Sequence, residues 1–314
     1  MLQGLVFNQG DGWQWFLAQL EKSLSSVSGL AGPPVIPAPS FLTENKTLPE
    51  AFEHAGTALE AAALLGRRTA ELHLALATPT KDANFAAEPY GPEDRARDGQ
   101  RIEAQIDSTL EALKIKIATL KGGAADKAGL LLSRRRDLLA RAHAIVSSTT
   151  TGQRIRIHGD YHLGQTLRTP AAGDSKQIGD FVLLDFEGEP ARPLIERRQK
   201  QSPLKDVAGM IRSFSYAAYS ALDQFMSANP ESKSGVDCER LTAWAVLWQN
   251  SVSGEFLRAY RETIASNPDL LPPPEQSQAL LQAYLLEKAL YELLYELNNR
   301  PAWLHIPIAG ILTL

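Results

Sequence analysis

His158-Gly159-Asp160-Tyr161-His162-Leu163-Gly164-Gln165, followed by Asp185-Phe186-Glu187-Gly188-Glu189-Pro190, is the stretch on which the reading of this chain turns. Its flanks read as short strands. Arg154-Ile155-Arg156-Ile157 alternates polar and apolar residues, Thr166-Leu167-Arg168 follows the first motif, and Phe181-Val182-Leu183-Leu184 is a buried apolar run. The first motif therefore leaves one strand and enters the next, while the second sits at the exit of a buried strand. Polar residues on tight loops between strands are placed to be presented, and two strand exits can share one site.

Outward from this β insert the pattern is helical. Thr47-Leu48-Pro49-Glu50 has the form of a capping box, and Phe52, Ala55, Leu59, Ala62 and Ala63 then repeat at helical spacing toward Leu76, with Pro79 as the stop. Residues 91–121 carry the stripe Ile102, Ile106, Leu110, Leu113 and Ile117 and end at Gly122-Gly123; a further helix is expected over 124–147. Its Arg134-Arg135-Arg136 triplet fans around the cylinder and reads as a solvated face. Helices are expected again over about 204–228, 237–266 and 275–298, separated by Asn229-Pro230 and Pro272-Pro273-Pro274. The first 45 residues show turn chemistry at Asn8–Gly12, the apolar-aromatic run Trp13, Trp15, Phe16, Leu17, Leu20, and a proline-rich loop near 29–40. The expected class is α+β, mainly α-helical, divided into a helical part over 1–150 and a catalytic part over 151–314.

Composition narrows the function classes. The 314 residues carry 32 Lys+Arg against 36 Asp+Glu, a net charge of −4, which argues against a nucleic-acid grip. The 44% hydrophobic content is enough for a core. The single cysteine, Cys238, excludes an internal disulfide and Cys-rich zinc modules. No run of about 18 apolar residues is present, and the start lacks a basic-then-apolar leader. A soluble cytoplasmic protein without membrane or nucleic-acid partners is expected.

The two motifs fit phosphoryl transfer, which needs one carboxylate to take the proton of an attacking hydroxyl and separate oxygen ligands for Mg2+ on the nucleotide phosphates. Asp160 is placed to be the base. Gln165 follows at the spacing that separates catalytic Asp from metal-binding Asn in the kinase pattern H-R-D-x-x-x-x-N, and Asp185 then takes the place of the metal-binding Asp. An amide oxygen and a carboxylate are hard donors suited to Mg2+. Two other readings stand beside this one: a transition-metal site H-x-D-x-H built from His158, Asp160 and His162, or aspartates that merely cap turns. On the last long helix Lys288, Tyr291, Tyr295 and Asn299 follow at steps of three and four, so they share a face beside the stripe Leu286, Leu290, Leu293, Leu297. That face reads either as a solvated amphipathic surface or as a sugar-contacting one.

These motifs, with Glu196-Arg197-Arg198, Ser202-Pro203-Leu204-Lys205-Asp206-Val207-Ala208-Gly209-Met210, Glu287–Glu292 and Tyr295–Pro301, resemble the maltokinases. That family belongs to the aminoglycoside-phosphotransferase-like branch of the kinase-like fold, and similar domains occur fused to trehalose synthase. The resemblance implies ATP- and Mg2+-dependent phosphorylation of maltose to maltose 1-phosphate, in trehalose-to-α-glucan metabolism. It makes Asp160 the catalytic base, gives metal and nucleotide binding to Gln165 and Asp185, and gives substrate contacts to His162, Glu187, Lys288, Tyr291, Tyr295, Asn299 and Arg300. His158 and Asp206 become braces of the catalytic loop.

Gly10-Asp11-Gly12-Trp13 resembles the segment just past the family's hinge, so the chain is expected to be a C-lobe. Gly29–Gly32 precedes prolines and Gly122–Lys127 lies between helices, so neither is a phosphate cradle. An N-terminal ATP-binding lobe is expected to be absent, leaving activity of this chain alone in question; a separate chain or a fused trehalose synthase would supply the missing parts. Two rivals follow: a non-catalytic sugar-binding or interaction protein derived from such a kinase, and a metal-dependent hydrolase using the His158/Asp160/His162 cluster.

Overall fold

Helix α1 (Gly12–Val27) begins where the Asp11 carboxylate accepts from the Gln14 amide at 2.8 Å, the capping role that an aspartate before a helix serves. It buries Phe16, Leu20, Leu24 and Val27, an i, i+4 stripe within a region whose sequence showed no regular pattern. This computed structural model describes residues 4–35, 38–42, 47–120, 122–147, 149, 151–171, 179–230 and 235–314. Part of the proline-rich loop, at 36–37, lies outside them.

Helix α2 (Pro49–Leu76) has proline in its first turn, as expected, but no capping box closes. The Thr47 hydroxyl instead donates to Glu255 Oε1 at 2.7 Å, on helix α8 (Gly235–Ile264). Small residues of α2 let these two long helices lie close: a Cβ on Gly66 would stand 2.1 Å from the Phe256 carbonyl oxygen. Helix α3 (Pro92–Lys116) ends in a 3-10 turn over Ile117–Thr119. The single helix expected over 124–147 is two, α4 (Gly123–Ser133) and α5 (Arg135–Ser147), broken at Arg134. Tertiary bonds take over there, because Arg134 donates to the Leu312 carbonyl at 3.0 Å and Arg135 pairs with Asp107 at 2.7 Å.

The strands are few and short. Strand β1 (Glu88–Pro89) pairs with β2 (Gln153–Arg154), so the run expected over 154–157 pairs only at its start, with one further bridge from Ile155 to Gln201. Strands β3 (Thr166–Thr169) and β4 (Asp180–Leu183) form an antiparallel hairpin in the register Thr166↔Leu183 to Thr169↔Asp180. The segment before α1 lies along the open edge of β3: Gln9 and Gly10 exchange backbone hydrogen bonds with Arg168, and Asp11 bridges Leu167. Covering that edge satisfies groups that would otherwise be exposed.

After the short α6 (Leu194–Arg197), helix α7 (Leu204–Ala228) has the bounds expected of it. Helix α9 (Pro274–Asn299) follows α8, and a 3-10 turn at Pro301–Trp303 leads into α10 (His305–Thr313), which the sequence reading did not foresee. One contiguous apolar cluster runs from Phe16 to Ile311. It draws on both parts of the chain, with α2 along α8, α3 along α9, and α1 against α7. The β3–β4 hairpin stands at the edge of this helical mass and presents the two polar loops.

Candidate active site

The loop before β3 is held from beneath by one carboxylate. Asp206, in the first turn of α7, accepts from the backbone amides of His158 at 2.8 Å and Gly159 at 3.0 Å, and from His73 Nε2 at 3.2 Å. His73 Nδ1 lies 2.9 Å from the Tyr260 hydroxyl, so α2, α7 and α8 all contribute. Burial opposes the Asp206 charge, yet the hydrogen bonds from His73 and from the Gly159 amide hold its pKa below the ordinary carboxylate value. Two glycines make the approach possible. Gly159 takes φ 83°, and a Cβ on Gly209 of α7 would stand 2.5 Å from the Tyr161 carbonyl oxygen.

His158 ties the two motifs together. Its Nε2 donates to the Leu184 carbonyl at 2.7 Å, its Nδ1 accepts from the Asp160 amide at 3.4 Å, and its ring lies between those of Tyr161 and Phe186. Both nitrogens are thereby spent inside the fold, which leaves His158 no lone pair for a metal. Among the described residues no group of three His, Cys, Asp or Glu side chains could hold a metal ion, so the H-x-D-x-H arrangement does not assemble.

The register of the hairpin then sets Gln165 beside Asp185. The Leu184 amide donates to the Gln165 carbonyl at 2.9 Å, and Gln165 Nε2 lies 3.2 Å from Asp185 Oδ2. Asp185 has φ 58°, a left-handed backbone uncommon for a residue with a Cβ and one that clusters at functional turns. A carboxylate and a side-chain amide thus stand side by side, and their oxygens are of the hard type that suits Mg2+.

Asp160 stands where two clefts meet. Its carboxylate, 16% exposed, is 3.9 Å from Lys288 Nζ and 4.0 Å from His162 Nε2. His162 Nδ1 accepts from the Gly164 amide at 3.1 Å; partial burial lowers the imidazole pKa while Asp160 pulls it up, and the net direction is down. The larger cleft, about 500 Å3, has walls of Trp13, Tyr216, Tyr291, Tyr295 and Trp303 and opens onto Asp160 and Lys288. The smaller, about 80 Å3, is charged, with Arg192, Arg197, Lys205 and Glu287 beside Asp160. Lys205 is half-buried, and that desolvation pushes its pKa down to about 8 despite Glu287. Glu287 is held well below the carboxylate range: burial opposes its charge, and Lys205, Arg101 and the 2.6 Å Arg101 bond overcome that opposition.

Of the residues expected on α9, Lys288, Tyr291, Tyr295 and, just beyond it, Arg300 line the larger cleft. Asn299 does not; its amide donates to the Tyr295 carbonyl on its own helix at 2.8 Å, and it faces solvent. Glu187 is likewise exposed and lines neither cleft, its backbone carbonyl accepting from Arg197. Glu189 takes the inward place, 4.0 Å from Lys288 and lining both clefts. The tight turn at Gly188, φ 75°, separates two acidic residues that sequence could not tell apart. Sequence reading also missed Ser213 and Tyr216, although Gly209, Ser213 and Tyr216 share one α7 face at helical steps of four and three.

No protein-family model matches the chain. It is 27% identical over 252 residues to a glucosamine kinase of Streptacidiphilus jiangxiensis, covering 80% of this chain and 48% of that protein. It is 28% identical over 256 residues to a glucosamine kinase of Mycolicibacterium smegmatis, covering 81% of this chain and 53% of that one. A solved glucosamine kinase in complex with glucosamine, ADP and inorganic phosphate matches 97% of this chain and 60% of its own, with a TM-score of 0.67 at 23% identity. Its relatives are sugar kinases. The fold is kinase-like, and the chain spans about half the length of the curated relatives it matches. Those relatives are named for glucosamine, so the resemblance to maltokinases holds at the level of sugar kinases. Among the described residues no helix is long and apolar enough to cross a membrane.

Proposed function

We propose that this chain is the acceptor-binding C-lobe of an ATP- and Mg2+-dependent sugar kinase, with Asp160 as the base. The observation that carries the reading is the Asp206 clamp on the backbone of His158 and Gly159, which fixes Asp160 at the mouth of an aromatic-walled cleft beside the Gln165–Asp185 pair. A sugar hydroxyl in the cleft would give its proton to Asp160 as its oxygen bonds to the γ-phosphorus of ATP and the bond to ADP breaks. Gln165 and Asp185 would hold Mg2+, which neutralises phosphate charge. The neutral His162 and the Lys288 ammonium flank Asp160 and orient its carboxylate. His158 and Asp206 act through the loop and touch no reactant.

Glucosamine is the first acceptor to test. Glu292 and Glu296 in the cleft wall are already bonded by Arg212 and Arg300, at 2.7 Å in each case, which leaves Glu189 and Asp160 to face a cationic amino sugar. Maltose is the second, because the rings of Tyr216, Tyr291, Tyr295 and Trp303 in a cleft of about 500 Å3 provide apolar faces for two sugar rings. Nucleotide contacts beyond Gln165 and Asp185 would come from outside the described residues, in an N-terminal lobe, a separate chain or a fused trehalose synthase.

The test is phosphorus NMR of the purified chain with Mg·ATP and either sugar, alongside calorimetric sugar binding. Transfer to glucosamine that needs Mg2+ supports the first reading, and preference for maltose the second. Sugar binding without transfer makes the chain a sugar-binding half. The absence of both transfer and binding removes the proposal.

A further inference from the structure

The charged cleft beside Asp160 is lined by cations whose donors are largely unspent. Arg192 lies 3.7 Å from Glu287 and 3.8 Å from Glu196, outside hydrogen-bond distance of either, and its side chain makes no hydrogen bond to any described residue. Arg197 gives one terminal nitrogen to the Glu187 carbonyl at 3.3 Å, while its Nε is buried without a partner. Lys288 comes no closer than 3.9 Å to Asp160 and 4.0 Å to Glu189. Cationic donors drawn into a cleft ordinarily find an acceptor, and those left without one call for a reason.

The carboxylates of the same cleft are engaged elsewhere. Asp206 is held by the two loop amides and His73. Glu287 is forked by Arg101 at 2.6 and 3.1 Å, so Lys205, at 3.4 Å, and Arg192 are the second and third cations drawn to one carboxylate. Glu189 bonds the Tyr291 hydroxyl, and Glu196 stands out in solvent. Desolvation first, and then the charges of Arg101 and Arg192, press the Lys205 pKa down, as happens where positive groups outnumber the carboxylates free to answer them. At about 10–15 Å3 for each water-sized occupant, the 80 Å3 of the cleft has room for the roughly five heavy atoms of a phosphate group. Such a group brings between about 1.5 and 2 negative charges and three acceptor oxygens, which arginine forks match.

We propose that the charged cleft is a phosphate-binding subsite, filled by the phosphate group of a phosphorylated sugar or by free phosphate. Neither Gln165 nor Asp185 lines it, so its occupant is not the nucleotide phosphate that Mg2+ would hold at the turn. Lys288, within 4.0 Å of both Asp160 and Glu189, offsets the two carboxylates at the mouth that the cleft shares with the aromatic one. Phosphate binding here stands on the cations alone; its use by a phosphorylated sugar leaving Asp160 rests on the kinase reading.

The experiment is calorimetric titration of the full chain with inorganic phosphate, glucose 1-phosphate, glucose 6-phosphate and glucose, in EDTA so that no Mg2+ bridges the ligand. Phosphate or a sugar phosphate is expected to bind with a Kd of about 1 mM or tighter. Arg192→Met and Arg197→Met, each with unchanged thermal unfolding, are expected to weaken that binding by about fivefold or more. Arg135→Met removes the same charge from an exposed pair on α5 and is expected to change it by less than about twofold. A sugar phosphate bound at least about tenfold tighter than both phosphate and glucose supports the sugar-borne group, and equal affinity for phosphate supports the free anion. Absence of binding by all three phosphates overturns the proposal. So does binding that Arg192→Met and Arg197→Met leave untouched, or that Arg135→Met weakens as much. Failure of the kinase reading shows separately, as no transfer from Mg·ATP while phosphate binding and its dependence on Arg192 and Arg197 persist.

Discussion

The loop at 158–165 and the turn at 185–189 lie against each other and are built in opposite ways. The loop rests on a buried carboxylate, with His158 and Tyr161 almost fully enclosed and the amides of His158 and Gly159 satisfied by Asp206. The turn is exposed at Asp185, Phe186 and Glu187, with left-handed residues at Asp185 and Gly188. A base must be held still to meet a hydroxyl, whereas ligands to a metal carried in on a nucleotide must stay open to solvent until it arrives. The difference predicts that substitutions beneath the loop damage stability and turnover together, while those on the turn alter metal dependence and leave the fold intact.

The sharpest break in that contrast is Asp206→Ala, which strands two loop amides and His73. A loss of about 2–4 kcal/mol in denaturant unfolding is expected, with turnover falling at least about a hundredfold. Stability within 0.5 kcal/mol of wild type, on the order of an ordinary surface change, would erase the distinction between loop and turn. On the turn side, Asp185→Asn, exposed and at a left-handed position that asparagine tolerates, is expected to raise the Mg2+ concentration for half-maximal turnover by about ten- to a hundredfold without moving the thermal midpoint. Glu187→Ala, two residues from an inward glutamate yet facing solvent, should stay within about twofold on both readouts. Equal effects of the two would show that the turn's geometry has been misread.

Gly209→Ala tests the seat of the loop more gently. The added methyl must displace Tyr161, and about 1–3 kcal/mol of destabilisation is expected by chemical denaturation. The smallest effect is one of pH. Lys205, with its pKa down at about 8 against an ordinary value near 10.4, binds fewer protons folded than unfolded between those values. Wild type should therefore gain stability relative to Lys205→Met as pH rises from 8 to 9.5, by at most about 1.4 kcal/mol per pH unit. Urea unfolding of both proteins across that range reads the slope; a flat or falling difference contradicts a desolvated, charge-strained lysine.

How much of this was legible in sequence follows the range of the interactions. The bounds of α7 and the pairing of Gln165 with Asp185 depend on local periodicity and on a two-stranded hairpin, and both could be read directly. Helix α1 could have been: its Asp11 cap and its Phe16–Leu20–Leu24 spacing are local signals obscured by neighbouring glycines and tryptophans. The break at Arg134 could not, because it rests on a bond to Leu312 from the opposite end of the chain. Asp206 beneath the loop was expected from a family resemblance, while its partners His73 and Tyr260 come from helices that sequence leaves unplaced. The exchange of Glu187 for Glu189 has the same origin, since turn dihedrals decide which carboxylate faces inward. Asn299 continues the spacing of Tyr291 and Tyr295 but sits in the last turn of α9, where its amide bonds the Tyr295 carbonyl.

The central claim is that Asp160 takes a proton from a sugar held in the aromatic cleft. It is tested most directly by comparing wild type with Asp160→Asn for phosphoryl transfer from Mg·ATP to glucosamine and for glucosamine binding by calorimetry. The account predicts that kcat falls by about a hundredfold to ten-thousandfold, the contribution of a positioned base, while the sugar Kd stays within about threefold. Transfer that survives the substitution, or a loss explained wholly by weakened sugar binding, would contradict it.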